Sequence, residues 1–154
     1  MTTMVETQNL TVQVYQVFIK ATPEQIWDAL TKPEFTERYF HHVRVDADLR
    51  AGGHFRQTLP DGRLAVEGEV LEAEPPRKLV HTWLAQYDPA LAEEEPSRVT
   101  WEIEPQDAGV TLLTVVHDRL EGAPKTAADV AGTGWMGVLS ALKPLLETGE
   151  PLSA

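Results

Sequence analysis

The amino-acid sequence predicts an α+β fold: a curved antiparallel sheet of six to seven strands, two short helices after the first strand, and a long C-terminal helix packed across the sheet. Three observations predict it. Trp135, Leu139, Leu142 and Leu146 recur at helical spacing, so the end of the chain forms a helix with one apolar face. Almost everything before Lys125 reads as strands, short β-branched and aromatic runs divided by turn residues. One helical insert interrupts this pattern near the start. A long amphipathic helix that follows a run of strands buries its stripe by lying along the sheet, and such a helix often leaves a cavity beneath it.

The elements follow in order. Thr11 to Lys20, with Val12, Val14, Tyr15, Val17, Phe18 and Ile19, is the first strand. Thr22-Pro23-Glu24-Gln25 stops it and starts a helix: Thr22 caps, Pro23 suits the first helical position, and Gln25 completes a capping box. Ile26, Trp27, Ala29 and Leu30 form the buried face, and Pro33 opens a second short helix to about Arg38. Strands are then expected at Val43 to Ala47, His54 to Leu59, Leu64 to Ala73, Lys78 to Ala85, Ser97 to Glu104 and Val110 to His117. Gly52-Gly53, Pro60-Asp61-Gly62, Pro75-Pro76 and Asp107-Ala108-Gly109 supply turns, and Gln86 to Pro96 is the longest loop. In Ser97 to Glu104, Val99, Trp101 and Ile103 share one face. The last helix is expected to begin near Thr126, with Asp129 at capping-box spacing, or at Thr133 if Gly132 and Gly134 break its first turns. Pro144 should bend it, and Gly149 followed by Pro151 ends it.

Composition narrows the function classes. A chain of 154 residues with 42% hydrophobic and 24% charged content fits one globular domain, expected over residues 11–149 with tails at 1–10 and 150–154. The absence of cysteine excludes disulfides, thiolate metal sites and cysteine nucleophiles, and fits a cytoplasmic protein. No apolar stretch approaches the roughly 20 residues that span a bilayer, so no membrane insertion is expected. A net charge of −11 opposes binding to nucleic acid, whose phosphates require clustered Lys and Arg.

Several segments carry a family resemblance. They are Ala21 to Thr31, Gly52-Gly53-His54-Phe55-Arg56, Gly68 to Val80, Gly134-Trp135 through Leu142, and Leu145 to Gly149. On these the chain resembles the stand-alone bacterial form of the family named for the activator of heat-shock-protein-90 ATPase, within the SRPBCC, START or Bet v 1-like superfamily. The resemblance implies the helix-grip fold and a possible place in the stress response, with a chaperone or other protein as one partner. Its segments are caps, turns and packing aromatics, and none is a catalytic signature. The chain lacks room for the additional N-terminal domain of the eukaryotic co-chaperones, which argues against direct stimulation of the chaperone.

The candidate site is the space between sheet and C-terminal helix. Tyr15, Trp27, Phe55, Trp83, Trp101 and Trp135 lie on elements that converge there, as core or as the lining of an apolar cavity. His81 shares a strand face with Leu79 and Trp83, and His117 shares one with Leu113 and Val115, so both imidazoles point inward. Each is either a core histidine with hydrogen-bonded partners or a group that meets a ligand, and Gln57 is a further polar candidate. With Val115 and Leu139 these complete the expected lining. The expected function is non-catalytic binding of a small hydrophobic or amphipathic molecule. The alternatives are a chaperone-associated interaction module, with Glu93-Glu94-Glu95 as an acidic patch or flap, and a cyclase- or hydrolase-type enzyme using His81 or His117. Adjacent His41-His42 cannot chelate one metal from an extended strand. No phosphate loop, metalloprotease helix or nucleophile elbow occurs, so no metal or cofactor is expected.

Overall fold

The computed structural model describes residues 10–131 and 133–152. The chain runs β1 (Gln13–Ile19), α1 (Pro23–Thr31), α2 (Pro33–Tyr39), β2 (Arg44–Ala47), β3 (His54–Thr58), β4 (Leu64–Glu74), β5 (Lys78–Ala85), α3 (Pro89–Ala92), β6 (Ser97–Pro105), β7 (Thr111–Asp118), α4 (Pro124–Val130) and α5 (Thr133–Thr148). All seven strands form one antiparallel sheet in the order β1-β7-β6-β5-β4-β3-β2. Strands β2 to β7 are a meander, and β1 returns beside β7. The two helices after β1 therefore carry the chain from one edge of the sheet to the other.

Local chemistry explains the boundaries. The Thr22 side chain accepts from the Gln25 N–H at 3.1 Å, and the Gln25 side chain accepts from the Thr22 N–H at 2.8 Å, the reciprocal capping box expected of this sequence. Gly149 ends α5 at φ +92°, its N–H bonded to the Leu145 carbonyl at 3.0 Å. Bends in the sheet arise where the register shifts, at Gln57/Thr58 and between Val70 and Glu72. Gly68 is needed on β4 because a Cβ there would lie 2.2 Å from the Thr82 carbonyl oxygen.

The concave face of the sheet and α5 enclose the core. Val99, Trp101 and Ile103 of β6, Leu113, Val115 and His117 of β7, and Leu79, His81 and Trp83 of β5 are all buried, as period-two alternation requires. Across from them, α5 buries Trp135, Val138, Leu139, Ala141, Leu142 and Leu145. Pro144 lies within α5, and Ser140, whose carbonyl loses its usual donor, is exposed to water.

At the end of the chain the last helix begins at Thr133, the second of the two expected starts, and a separate short helix precedes it. The final helical region is two helices, and Thr126 lies inside α4 rather than capping it. Its N–H and hydroxyl both donate to Glu94, at 2.9 and 2.7 Å, and the Lys125 N–H donates to the same carboxylate at 2.8 Å. Burial works against the Glu94 charge, but these three donors outweigh it and hold the carboxyl below its ordinary pKa. An acid distant in sequence thus caps α4, which no local spacing reveals. It also means that Glu94 is committed to structure and does not join Glu93 and Glu95 in a free acidic patch. The expected loop from Gln86 to Pro96 contains α3, capped by Asp88 on the Ala90 N–H at 2.9 Å. Among the expected tails, residues 1–9 and 153–154 lie outside the described residues, as does Gly132. No helix among the described residues is long and apolar enough to cross a membrane.

Candidate functional site

Strand register determines which inward side chains meet. His81 on β5 lies opposite Val99 on β6, and Val99 lies opposite His117 on β7. One residue pair away, Trp101 lies between Leu79 and Val115. The two imidazoles and two indoles therefore crowd the middle of the concave face, where Trp135 descends from α5.

Each histidine has its hydrogen-bonding capacity filled. The Trp101 indole N–H donates to His81 Nε2 at 3.1 Å, so Nδ1 carries the proton and donates to the Thr82 carbonyl at 2.9 Å. The Trp135 N–H donates to His117 Nδ1 at 3.1 Å. His117 Nε2–H then donates to Ser97 Oγ at 2.7 Å, and that hydroxyl donates to the Trp83 carbonyl at 3.3 Å. Phe55 stacks on His81 with ring centroids 3.6 Å apart. Burial lowers the pKa of His81 to about 4. Burial, and then the neighbouring His81, lowers that of His117 to about 3. Both rings are neutral at pH 7. A proton on either acceptor nitrogen would also face an indole N–H, donor against donor.

A cavity of about 480 Å³ opens beside this cluster. Phe40, Val43 and Leu59 form one wall, Ala65, Val66 and Trp83 a second, and Val130, Trp135 and Val138 a third. Four polar side chains reach it: Gln57, His41, Tyr87 and Asp129. The Tyr87 hydroxyl donates to the Asp129 carboxylate, bridging the β5–α3 loop to α4. Burial and then that carboxylate raise the tyrosine pKa. Two polar groups here lack partners among the described residues. The Trp83 indole N–H is buried with no acceptor, and the Gln57 amide, on a residue 3% exposed, makes no side-chain hydrogen bond.

Among the residues expected to line the site, Gln57, Trp83 and Trp135 do so. Phe55, His81, Trp101, Val115, His117 and Leu139 lie in the packed core without reaching the cavity wall. Trp27 is buried on α1, and half-buried Tyr15 donates its hydroxyl to Gln13 at 3.0 Å. Phe40, Tyr87, Val130 and Val138 were not legible as lining. Only Val138 carried a signal, three residues beyond Trp135 on the same helical stripe. Asp129, expected as a capping partner for Thr126, instead holds Tyr87. Of the other histidines, His41 reaches the cavity and, like His42, is exposed, at φ +51° and +63°, and His54 Nε2 is 3.1 Å from Asp46. Among the described residues no cluster of His, Asp and Glu could hold a metal.

Solved structures share this architecture. A protein from Mesorhizobium loti is 30% identical, with TM-score 0.72 over 88% of this chain and 96% of that one. CalU16 from Micromonospora echinospora is 26% identical, with TM-score 0.69 over 91% and 76% of the two chains. An HSP90 activator from Plasmodium falciparum, 23% identical with TM-score 0.70 over 92% and 98%, shares the fold. No functionally curated protein matches in sequence. The model of the family described as activator of Hsp90 ATPase homolog 1-like protein matches residues 20–147. With that match running from α1 through β2–β7 and into α5, and including every residue that lines the cavity, the chain belongs to the activator of Hsp90 ATPase homolog 1-like family.

Proposed function

We propose that the protein binds a small apolar or amphipathic molecule, without chemically altering it, in the cavity between α5, α4 and strands β3–β5. The observation that carries this is the cavity itself: about 480 Å³, walled by aromatic and aliphatic side chains, with few polar groups. A packed domain fills such a volume with its own side chains unless something else occupies it. An acid–base role for His81 or His117 has no support in the geometry, because both rings are neutral, fully hydrogen-bonded and away from the cavity wall.

Val138→Trp on α5 tests the site by filling it. The variant should keep a cooperative thermal transition and lose the ligand that native mass spectrometry finds on the wild-type protein. A folded variant that carries the ligand at the wild-type level places binding elsewhere.

A second reading, a chaperone-associated interaction module, is favoured by one observation. Val12, Val14 and Phe18 on the outer face of the β1 segment are more than half exposed, and Val14 and Phe18 lie opposite Val116 and Leu112 on β7. A contact there would leave the cavity untouched, so Val138→Trp would not weaken it.

A further inference from the structure

We infer that the cavity selects an uncharged, ring-bearing molecule with a hydrogen-bond acceptor, such as a ketone oxygen, held by the Trp83 indole N–H and the Gln57 amide; this rests on the cavity being the binding site. Three observations carry it.

The first is the pair of unpartnered polar groups. Trp83 is 5% exposed and Gln57 3% exposed, and both line the cavity; the Trp83 N–H is buried without a partner, and the Gln57 amide makes no side-chain hydrogen bond among the described residues. Buried polar groups are ordinarily paired, and an unpaired one retains its desolvation penalty. An indole N–H can only donate, so what satisfies Trp83 must be an acceptor. Gln57 can donate to the same oxygen or receive a hydroxyl.

The second is the shape and chemistry of the wall. Phe40, Trp83 and Trp135 meet at centroid distances of 5.5–6.3 Å and interplanar angles of 35–85°, presenting both ring faces and edges. Such a surface favours a flat ring that stacks on one partner while its edge meets another.

The third is charge. Among the described residues no lysine or arginine lines the cavity, whereas the Asp129 carboxylate does, on a protein of net charge −11. An anion entering this site would lose its hydration with no cation to replace it, beside a like charge. Fatty-acid and sulfonate ligands are therefore disfavoured.

Three probes of similar size separate these points: 2-acetylnaphthalene, 2-ethylnaphthalene and 2-naphthoate, titrated by tryptophan fluorescence and by calorimetry. The ketone should bind about five- to tenfold tighter than the ethyl compound, the advantage of one well-made hydrogen bond, although the ethyl compound is the more apolar. It should bind tighter than the carboxylate by at least the same factor. Trp83→Phe should reduce the ketone's advantage over the ethyl compound to less than about twofold. Gln57→Leu should reduce it too, and supplies the comparison if Trp83→Phe fails to fold. Equal or tighter binding of 2-ethylnaphthalene, or a preference for 2-naphthoate, overturns this inference and leaves the cavity reading standing. An advantage that survives both substitutions also overturns it. Failure of both neutral probes to bind up to their solubility overturns the cavity reading, and this inference with it.

Discussion

Three indoles meet on the concave face within a few ångströms, and two differ from the third. Trp101 and Trp135 each donate to an imidazole at 3.1 Å; His81 in turn donates to the Thr82 carbonyl, and His117 to Ser97, whose hydroxyl donates to the Trp83 carbonyl. Trp83 packs 5.5 Å from Trp135 and 5.7 Å from His117, yet its N–H meets no acceptor among the described residues. Trp101 lies in the packed core, Trp135 lines the cavity with its N–H turned to His117, and Trp83 lines the cavity with its N–H unpartnered among the described residues. Identical donors are closed where an imidazole faces them and open where none does. The histidines that look catalytic on inspection of the sequence belong to the closed half.

The largest measurable consequence of the closed half is its response to acid. His81 and His117 have folded pKa values of about 4 and about 3, below their unfolded value near 6.5. Their contribution to stability is fully present above pH 6.5. It falls as acid protonates the unfolded chain first, and is lost as pH drops through the folded values. Between pH 6.5 and 5, above the range where carboxylates dominate, unfolding free energy should fall with a slope that grows from about 0.7 to about 1.4 kcal/mol per pH unit for each histidine. Urea titrations of the wild type and His117→Gln across that window check it. An identical slope in the two proteins would mean that His117 titrates normally.

Next in size is the difference among the indoles themselves. Trp101→Phe and Trp135→Phe each strand a buried imidazole nitrogen, while Trp83→Phe removes a donor that had no partner. The first two should cost about 1–3 kcal/mol more stability than the third, because an orphaned buried acceptor keeps its desolvation penalty. Equal losses, measured by chemical denaturation, would mean that ring volume alone decides. The smallest effect belongs to a site outside both halves. Thr22→Ala removes the capping hydroxyl of α1 and should cost about 1 kcal/mol, with probe affinity unchanged.

The elements of this fold were legible because their signals are local. Capping at Thr22, the turn at Asp61-Gly62 and the alternation in β6 each operate over a few residues, and the structure keeps them within a residue or so. The candidate site was legible only by face. Alternation placed His81, His117 and Trp101 inward, but register decides that Trp101 reaches His81 while Trp83 reaches no acceptor, and register joins residues about 20 apart. The cavity rim was illegible for the same reason. Tyr87 and Asp129 are separated by 42 residues, and Glu94 finds the start of α4 across a gap of about 31. That distant cap starts α4, whereas the start of α5 at Thr133 is the one expected if Gly132 and Gly134 interrupt the helix.

The sheet's first strand has one further consequence, for behaviour at high concentration. As the outermost strand, β1 exposes a backbone edge that a second chain could extend into a shared sheet. At its far end that edge is occupied: Lys143 of α5 donates to the Phe18 carbonyl, and Glu147 accepts from the Lys20 N–H at 2.8 Å. The same two side chains pair with each other at 2.8 Å. A neighbour adding there would have to displace an ion pair and bring together two chains that each carry a net charge of −11. The helix that shelters the cavity thus also guards the strand next to it from self-association.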